Sequence, residues 1–161
     1  MIKLRHANRK DCRMIWQWAN DPDVRAASFA PEPIAYEDHV RWFETRLAKA
    51  DCRMYIVEDV GDGGHPAPLG QVRFERKGQA AVISVSLDRR FRARGLGARI
   101  IELAARTYLA ATDTQIINAY VKTDNTASLA AFKKAGFSSG KRTSVADQPA
   151  HHFFLTRDAM T

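Results

Sequence analysis

The chain has 161 residues, 45% of them hydrophobic, and carries 25 Lys and Arg against 18 Asp and Glu for a net charge of +7. At roughly 150 residues per domain this length predicts one domain over 1–161 with a real core, which excludes a disordered tail. No run approaches the ~20 apolar residues that span a bilayer, and Met1-Ile2-Lys3-Leu4-Arg5 lacks the apolar centre of a secretory signal, so a cytoplasmic protein is expected.

Taken in order, Ile2 to Arg5 predicts a short strand, followed by a helix opening at Lys10 or Asp11, carrying Met14, Ile15 and Trp18, and stopped by Asp21-Pro22. A loop containing Pro31 and Pro33 leads to a second helix, Tyr36 to Ala48. It has Val40, Phe43 and Leu47 at helical spacing and His39, Trp42 and Arg46 on a neighbouring stripe. Arg53 to Val60 is a strand, Gly61 to Pro68 a turn, and Leu69 to Arg76 and Ala81 to Leu87 are strands around Lys77-Gly78. In the last of these, Ala81, Ile83, Val85 and Leu87 alternate with Ser84 and Ser86, the mark of one buried face. A helix from Leu96 to Ala111 presents Ile100, Leu103, Ala104 and Tyr108 inward. Ile116 to Val121 is a strand, and Asn125 to Lys134 a short helix with Leu129 and Phe132 inward and Gly136 as its left-handed cap. Phe137 onward and His151 to Thr156 complete the order βααβββαβαββ, an α+β layout.

Charge is concentrated at Arg89, Arg90, Arg92, Arg94 and Arg99, interleaved with Gly95 and Gly97, where a strand turns into the long helix. Backbone N–H groups at a helix start, with the positive end of the helix dipole behind them, make an anion cradle, to which arginines add charge-assisted hydrogen bonds. A compact polyanion such as a diphosphate fits it. The turn is not GxxxxGK[ST], because no Lys-Ser or Lys-Thr follows, and not GxGxxG, because the third glycine is missing. Cys12 and Cys52 lie far apart with no metal-ligand spacing, and neighbouring strand residues His151 and His152 point to opposite faces, so no metal is expected. Nucleic acid is set aside as a partner: zinc spacing, RNP-type aromatics and a helix-turn-helix pattern are all missing.

Two segments together resemble the GNAT superfamily of acyl-CoA N-acyltransferases. Arg92-x-x-Gly95-x-Gly97 is similar to its pyrophosphate signature, and Asn125 through Gly136-Phe137 to its second, an Asn-led helix ending in Gly-Phe. The resemblance implies a mixed central sheet flanked by helices on both faces and splayed between the fourth and fifth strands. Acetyl-CoA would be the acetyl donor, its pantetheine lying as a pseudo-strand beside Val85 to Leu87. Backbone amides of Arg92, Ala93, Arg94, Gly95, Leu96 and Gly97 would hold the pyrophosphate, and a freed strand amide would polarise the thioester carbonyl. Asn125 would touch the pantetheine or cap its own helix, with Ser128 near the thiol and Lys133 near the adenosine phosphate. Phe132 stands among the cofactor contacts where many relatives have a proton-donating tyrosine, which leaves Tyr120, Ser128 or water as substitutes. In place of the family's frequent glutamate, Ser84, Ser86 and Asn118 are expected to relay a proton through water.

The acceptor is expected between the first two helices. Trp18-Ala19-Asn20-Asp21-Pro22-Asp23-Val24-Arg25 and His39-Val40-Arg41-Trp42-Phe43 resemble the branch that acetylates nucleotide-linked amino-deoxy sugars of pseudaminic acid synthesis; similar patterns occur in the branch acting on ribosomal-protein N-termini. Under the first resemblance Trp18 or Trp42 would stack on the base, Arg25, Arg41 or His39 would meet the diphosphate, and Asn20 would line the pocket. At this helical spacing Trp16, Trp18 and Trp42 are more often core than stacking platform. Acetyl-CoA and a small-molecule amine are the implied partners, with a homodimer left open.

Overall fold

A computed structural model describes residues 1–61 and 63–160; position 62, inside the expected Gly61 to Pro68 turn, lies outside them. The strands are β1 (Ile2–His6), β2 (Cys52–Asp59), β3 (Ala67–Lys77), β4 (Ala80–Leu87), β5 (Ile116–Lys122), β6 (Ser138–Val145) and β7 (Gln148–Thr156). They form one sheet in the order β1-β2-β3-β4-β5-β7-β6. The helices are α1 (Cys12–Ala19), α2 (Pro22–Ala27), α3 (Tyr36–Ala48), α4 (Leu96–Ala111) and α5 (Thr126–Lys134). All neighbouring strands run antiparallel except β4 and β5, which are parallel because α4 carries the chain across between them.

Strand alternation divides the molecule into two apolar layers. Tyr55 and Val57 of β2 join Val72, Phe74, Ile83, Ile117, Ala119 and Phe153 beneath α4 and α5. The intervening Met54 and Ile56 meet Ile15 and Trp18 of α1 and Phe43 of α3 on the opposite face. Phe74 and Tyr108 stack at 4.1 Å, with ring planes 4° apart, at the centre of the α4 layer.

Three expectations need correction. Asp21-Pro22 does not simply end a helix: α1 stops at Ala19, and Asp21 caps the additional α2 by accepting from Asp23 N–H at 2.9 Å, with Pro22 in the first turn. On α3 the buried positions are His39 and Phe43, with Val40 only half-buried, because the helix rolls to bring His39 against Cys12 O. On α4, Leu103 is half-buried while Ile101, Ala105 and Leu109 are inside. Gly136, at φ +94, closes α5 as expected, with Phe137 N–H bonded to Phe132 O and Gly136 N–H to Lys133 O.

Gly70 sits where β3 approaches the end of β4. A Cβ there would lie 2.3 Å from Ser86 O and 3.0 Å from Leu87 Cα, and the obstruction is backbone that cannot swing aside. Gly70→Ala is expected to destabilise the fold by about 1–3 kcal/mol through overpacking. Urea unfolding checks it; an unchanged midpoint would show that β3 and β4 separate freely.

Candidate functional site

The parallel pairing of β4 with β5 is brief. It covers Ala80–Val82 against Ile116–Asn118 and then stops, so Ile83–Leu87 and Ala119–Lys122 diverge around a wedge-shaped gap whose vertex is the Val82–Asn118 pair. The expected splay is therefore present. Val85 and Leu87 lie along the open edge of β4, with side chains packed half-buried against the α4 layer. Main-chain polar groups along such an edge are available to an extended ligand.

At the wide end, β4 runs into the arginine-rich turn. Ala93 (φ +59) and Gly95 (φ +72) both take left-handed conformations, and Gly95 leads directly into α4. Among the described residues no side chain caps that helix start, and its first turn contains no acidic residue. A 16-residue helix thus presents bare N–H groups and the positive end of its dipole to the mouth of the gap. Gly97 faces α5 instead: a Cβ there would meet Ala131 Cβ at 3.5 Å, ordinary contact.

The arginine side chains depart from expectation. Arg92 turns inward, donating from Nε and Nη2 to Leu87 O at 3.0 and 2.9 Å and from Nη1 to Asp21 and Asp23 at 3.3 and 3.2 Å. An unpaired carbonyl at a strand end and two carboxylates at the start of α2 attract it more strongly than open solvent does, so its guanidinium braces the turn from behind. Arg90 pairs with Asp88, and Arg89 with Asp21 at 3.5 Å. Arg94, whose guanidinium lies 5.6 Å over the Phe91 ring, makes no ion pair among the described residues. Hydrogen bonding from Arg90, joined by Trp18, holds the Asp88 carboxyl well below the usual carboxylate range. Burial alone would raise the Asp21 carboxyl, but Asp23 N–H, Arg92 and Arg89 outweigh it and hold it low.

Of the two roles left open for Asn125, the structure displays the cap: its Oδ1 accepts from Ser128 N–H at 3.2 Å. Ser128 is half-exposed one turn into α5, and Lys133 is exposed in its last turn. Phe132, expected beside the cofactor, is 5% exposed and packs in the core, face to face with Phe153 and edge-on to Phe137.

The acceptor residues are redistributed too. Trp18 is 7% exposed and its indole N–H is committed to Asp88 Oδ2 at 2.9 Å, although it borders a depression of about 260 Å³ shared with Gln17, Asp21, Arg89 and Arg90. Asn20 clamps the Pro31–Pro33 loop, donating to Ile34 O and accepting from Ile34 N–H, both at 2.8 Å. Arg25 spends its guanidinium on Ala19 O, Ala30 O and Glu32 O. His39 is 2% exposed with Nε2 on Cys12 O at 3.0 Å; that carbonyl can only accept, so Nε2 carries the hydrogen, and burial pushes the imidazole down. Trp42 lies beneath the guanidinium of Arg73 at 5.0 Å. Arg25 and His39 thus spend their donors on main-chain carbonyls of the protein itself, Arg25 at the end of α1 and in the loop after α2, and His39 on the first residue of α1.

Ser84, Ser86, Asn118 and Tyr120 stand on the sheet face that α1 and α3 partly cover, opposite the α4 layer. Ser84 Oγ accepts from Arg73 Nη2 at 3.3 Å, while Ser86 Oγ is buried without a partner among the described residues, as is Oε1 of its cross-strand neighbour Gln71. Beyond the helices the face is open: Val82 and Tyr120 are 37% and 39% exposed beside the vertex. His152, given no role in the sequence reading, joins them, with Nε2 2.8 Å from Asn118 Oδ1 and its ring stacked 5.1 Å from Tyr120. Strand parity alone would have placed it there, had the β5–β7 register been known. Over this floor α2 and its loop form a strap pinned on both sides of the gap, by Arg92 to Asp21 and Asp23, and by Lys122 Nζ to Ala26 O and Gln148 Nε2 to Phe29 O at 2.9 and 2.8 Å. A larger depression, about 520 Å³, borders Arg53, Arg76 and Asp113 at the opposite end of β4.

Residues 2–138 match the family model described as an acetyltransferase (GNAT) domain. Among solved structures, a spermidine N-acetyltransferase from Vibrio cholerae in complex with CoA and spermine superposes with a TM-score of 0.86 at 15% identity, covering 99% of this chain and 97% of that one. The aminoglycoside acetyltransferase AAC(6′)-Ib in complex with coenzyme A and kanamycin gives 0.81 at 19% identity, covering 99% and 96%. A domain from Methanocaldococcus jannaschii gives 0.82 at 14%, covering 97% and 98%. At such identities these likenesses establish the fold. No curated protein matches the sequence.

Proposed function

The chain belongs to the GNAT acetyltransferase family, and on that premise we propose that it transfers the acetyl group of acetyl-CoA to a primary amine of a small molecule. The observation that carries the reading is the uncapped start of α4 at the wide end of the β4–β5 gap, where main-chain donors face a site for a diphosphate and the gap extends from it to the vertex. Neighbours of the same fold are described with CoA, alongside spermine in one case and kanamycin in another. With acetyl-CoA bound there, the neutral acceptor nitrogen attacks the thioester carbon, the C–S bond breaks, the nitrogen gives up one proton to become the amide, and the departing thiolate takes one up. The chain's part is to align the two reactants and exclude water: the strap covers the floor, and Ser84, Asn118 and Tyr120 surround the approach to the vertex.

The acceptor follows from what the floor offers. Strands β4, β5, β6 and β7 contain no Asp or Glu, whereas Lys122 stands on the floor side of β5. A polycationic amine finds little here to neutralise it, which favours an acceptor of low positive charge or one carrying anionic groups. The finer reading, the 4-amino group of a nucleotide-linked amino-deoxy sugar, keeps that charge argument but loses Arg25 and His39 as diphosphate ligands. A protein N-terminal amine is the second reading, supported by the likeness of the Trp18–Arg25 segment.

Calorimetry with acetyl-CoA, followed by thiol release with a panel of amino sugars, their nucleotide conjugates, N-terminal peptides, spermidine and kanamycin, tests this. Acetyl-CoA binding with turnover of the uncharged or anionic amines is expected. Absence of acetyl-CoA binding by folded protein would remove the reading, and turnover of peptides alone would replace it with the second.

A further inference from the structure

The pair formed by Asn118 and His152 carries an inference that rests on the transferase reading and narrows its substrate. Asn118 is the last residue of β5 still paired with β4. Its side chain rises from the sheet between two exposed residues, Val82 across the vertex and Tyr120 along the strand. His152, on the other side of β5, is stacked between Tyr120 at 5.1 Å and Phe154 at 5.8 Å. β6 makes room for the ring by an irregularity between Ser139 and Arg142, where Gly140 lies so close that a Cβ would come within 2.5 Å of Nδ1. Held in this way, Nε2 meets Asn118 Oδ1 at 2.8 Å; an amide oxygen only accepts, so Nε2 carries the hydrogen.

The consequence falls on the other end of the amide. With Oδ1 committed toward β7, planarity turns Nδ2 away from β7, and it makes no hydrogen bond among the described residues. Two N–H donors are thus offered beside the vertex. A ligand lying in the gap as a pseudo-strand occupies the plane of the sheet, whereas a side chain standing on the face meets what approaches from above, the acceptor. Those donors have no productive use for the attacking nitrogen, whose lone pair must stay free for the carbonyl carbon. They suit an oxygen close to it.

We infer that Asn118, positioned by His152, binds an oxygen atom of the acceptor, and that the substrates are amines bearing a hydroxyl, carbonyl or carboxylate oxygen within a few bonds of the reacting nitrogen. Aliphatic polyamines have no such atom. His152 acts through Asn118 as a positioning residue.

The test compares glucosamine with cyclohexylamine in wild type, Asn118→Leu, His152→Phe and His152→Gln. The quantity read is the ratio of kcat/KM between the two amines, which cancels their different basicities when variants are compared. Where turnover is slow, the ratio of Kd in the presence of coenzyme A is read in the same way. The ratio is expected to fall at least about tenfold in Asn118→Leu and His152→Phe, chiefly through KM for glucosamine, and to recover in His152→Gln, whose amide N–H can still reach Oδ1. A bond that merely ties β5 to β7 would lower both amines together. An unchanged ratio across the variants, or a wild type that favours cyclohexylamine per neutral amine, overturns the inference while leaving the transferase reading intact. Failure to bind coenzyme A overturns the reading beneath it.

Discussion

Arg92→Ala is expected to weaken coenzyme A binding by at least about tenfold and to destabilise the fold by about 2–3 kcal/mol, although its guanidinium does not face the cradle. The side chain donates twice to Leu87 O and bridges to Asp21 and Asp23. Removing it leaves the terminal carbonyl of β4 without its donor and two carboxylates without a cation, where charged hydrogen bonds contribute roughly 1.5–3 kcal/mol each. The turn behind it contains Ala93 at φ +59, a conformation costing an alanine of order 1 kcal/mol that persists only while the surroundings enforce it. Without the brace, Ala93 can relax and the amides of the cradle lose their common aim. Arg94→Ala is the contrast. That side chain makes no ion pair among the described residues, so its loss should leave the unfolding midpoint within about 0.5 kcal/mol while reducing affinity in a salt-dependent way. Calorimetry for coenzyme A and urea unfolding on both variants decide the matter. An Arg92→Ala protein of native stability and affinity would mean that the turn holds its shape by itself.

The same arginine shows which parts of the molecule were legible in the sequence. Tyr36–Ala48 and Leu96–Ala111 agree with their expected limits because length and apolar periodicity mark them locally. The turn was legible at Gly95, where left-handed geometry favours glycine, and not at Ala93, which takes the same geometry without one. Side-chain direction depends on partners distant in sequence. Nothing near Arg92 announces Asp21, nothing near His39 announces Cys12 O, and Trp18 finds Asp88 seventy residues later. At Arg92, His39 and Trp18 a carbonyl or carboxylate of the protein itself takes the side-chain donor. His152 shows the converse. Adjacent histidines on a strand do point to opposite faces, but one of those faces is the floor beside the vertex, and only the register of β7 on β5 places it there.

Arg5→Ala is expected to lower stability by about 3 kcal/mol at pH 7, toward the lower end of what breaking a buried pair costs because Arg5 is partly open to water. Asp11 is 5% exposed, and both of its oxygens accept from Arg5, at 2.8 Å each, while Asn8 N–H adds a third bond at 2.8 Å. Burial by itself would raise the Asp11 carboxyl; the Arg5 guanidinium and Asn8 N–H outweigh it and hold the group below its ordinary value of 3.8. A carboxyl lowered on folding contributes stability that is fully present above the unfolded value and is lost as pH falls through the folded one. Deleting Arg5 removes the cation that opposes burial and leaves only Asn8 N–H against it, which shifts the variant's Asp11 upward and weakens that pH dependence. The gap between wild type and Arg5→Ala should therefore narrow as pH falls from 7 toward 4, and Asp11→Asn in the Arg5→Ala background should recover part of the loss at pH 7. Urea unfolding at pH 7, 5 and 4 measures this directly; a gap independent of pH would show that Arg5 acts through packing and not through the Asp11 charge. The pair fastens β1 to the start of α1, and α1 carries Trp18 to Asp88 at the head of the arginine-rich turn, so its loss is expected to lower acetyl transfer only under conditions where the fold itself begins to open.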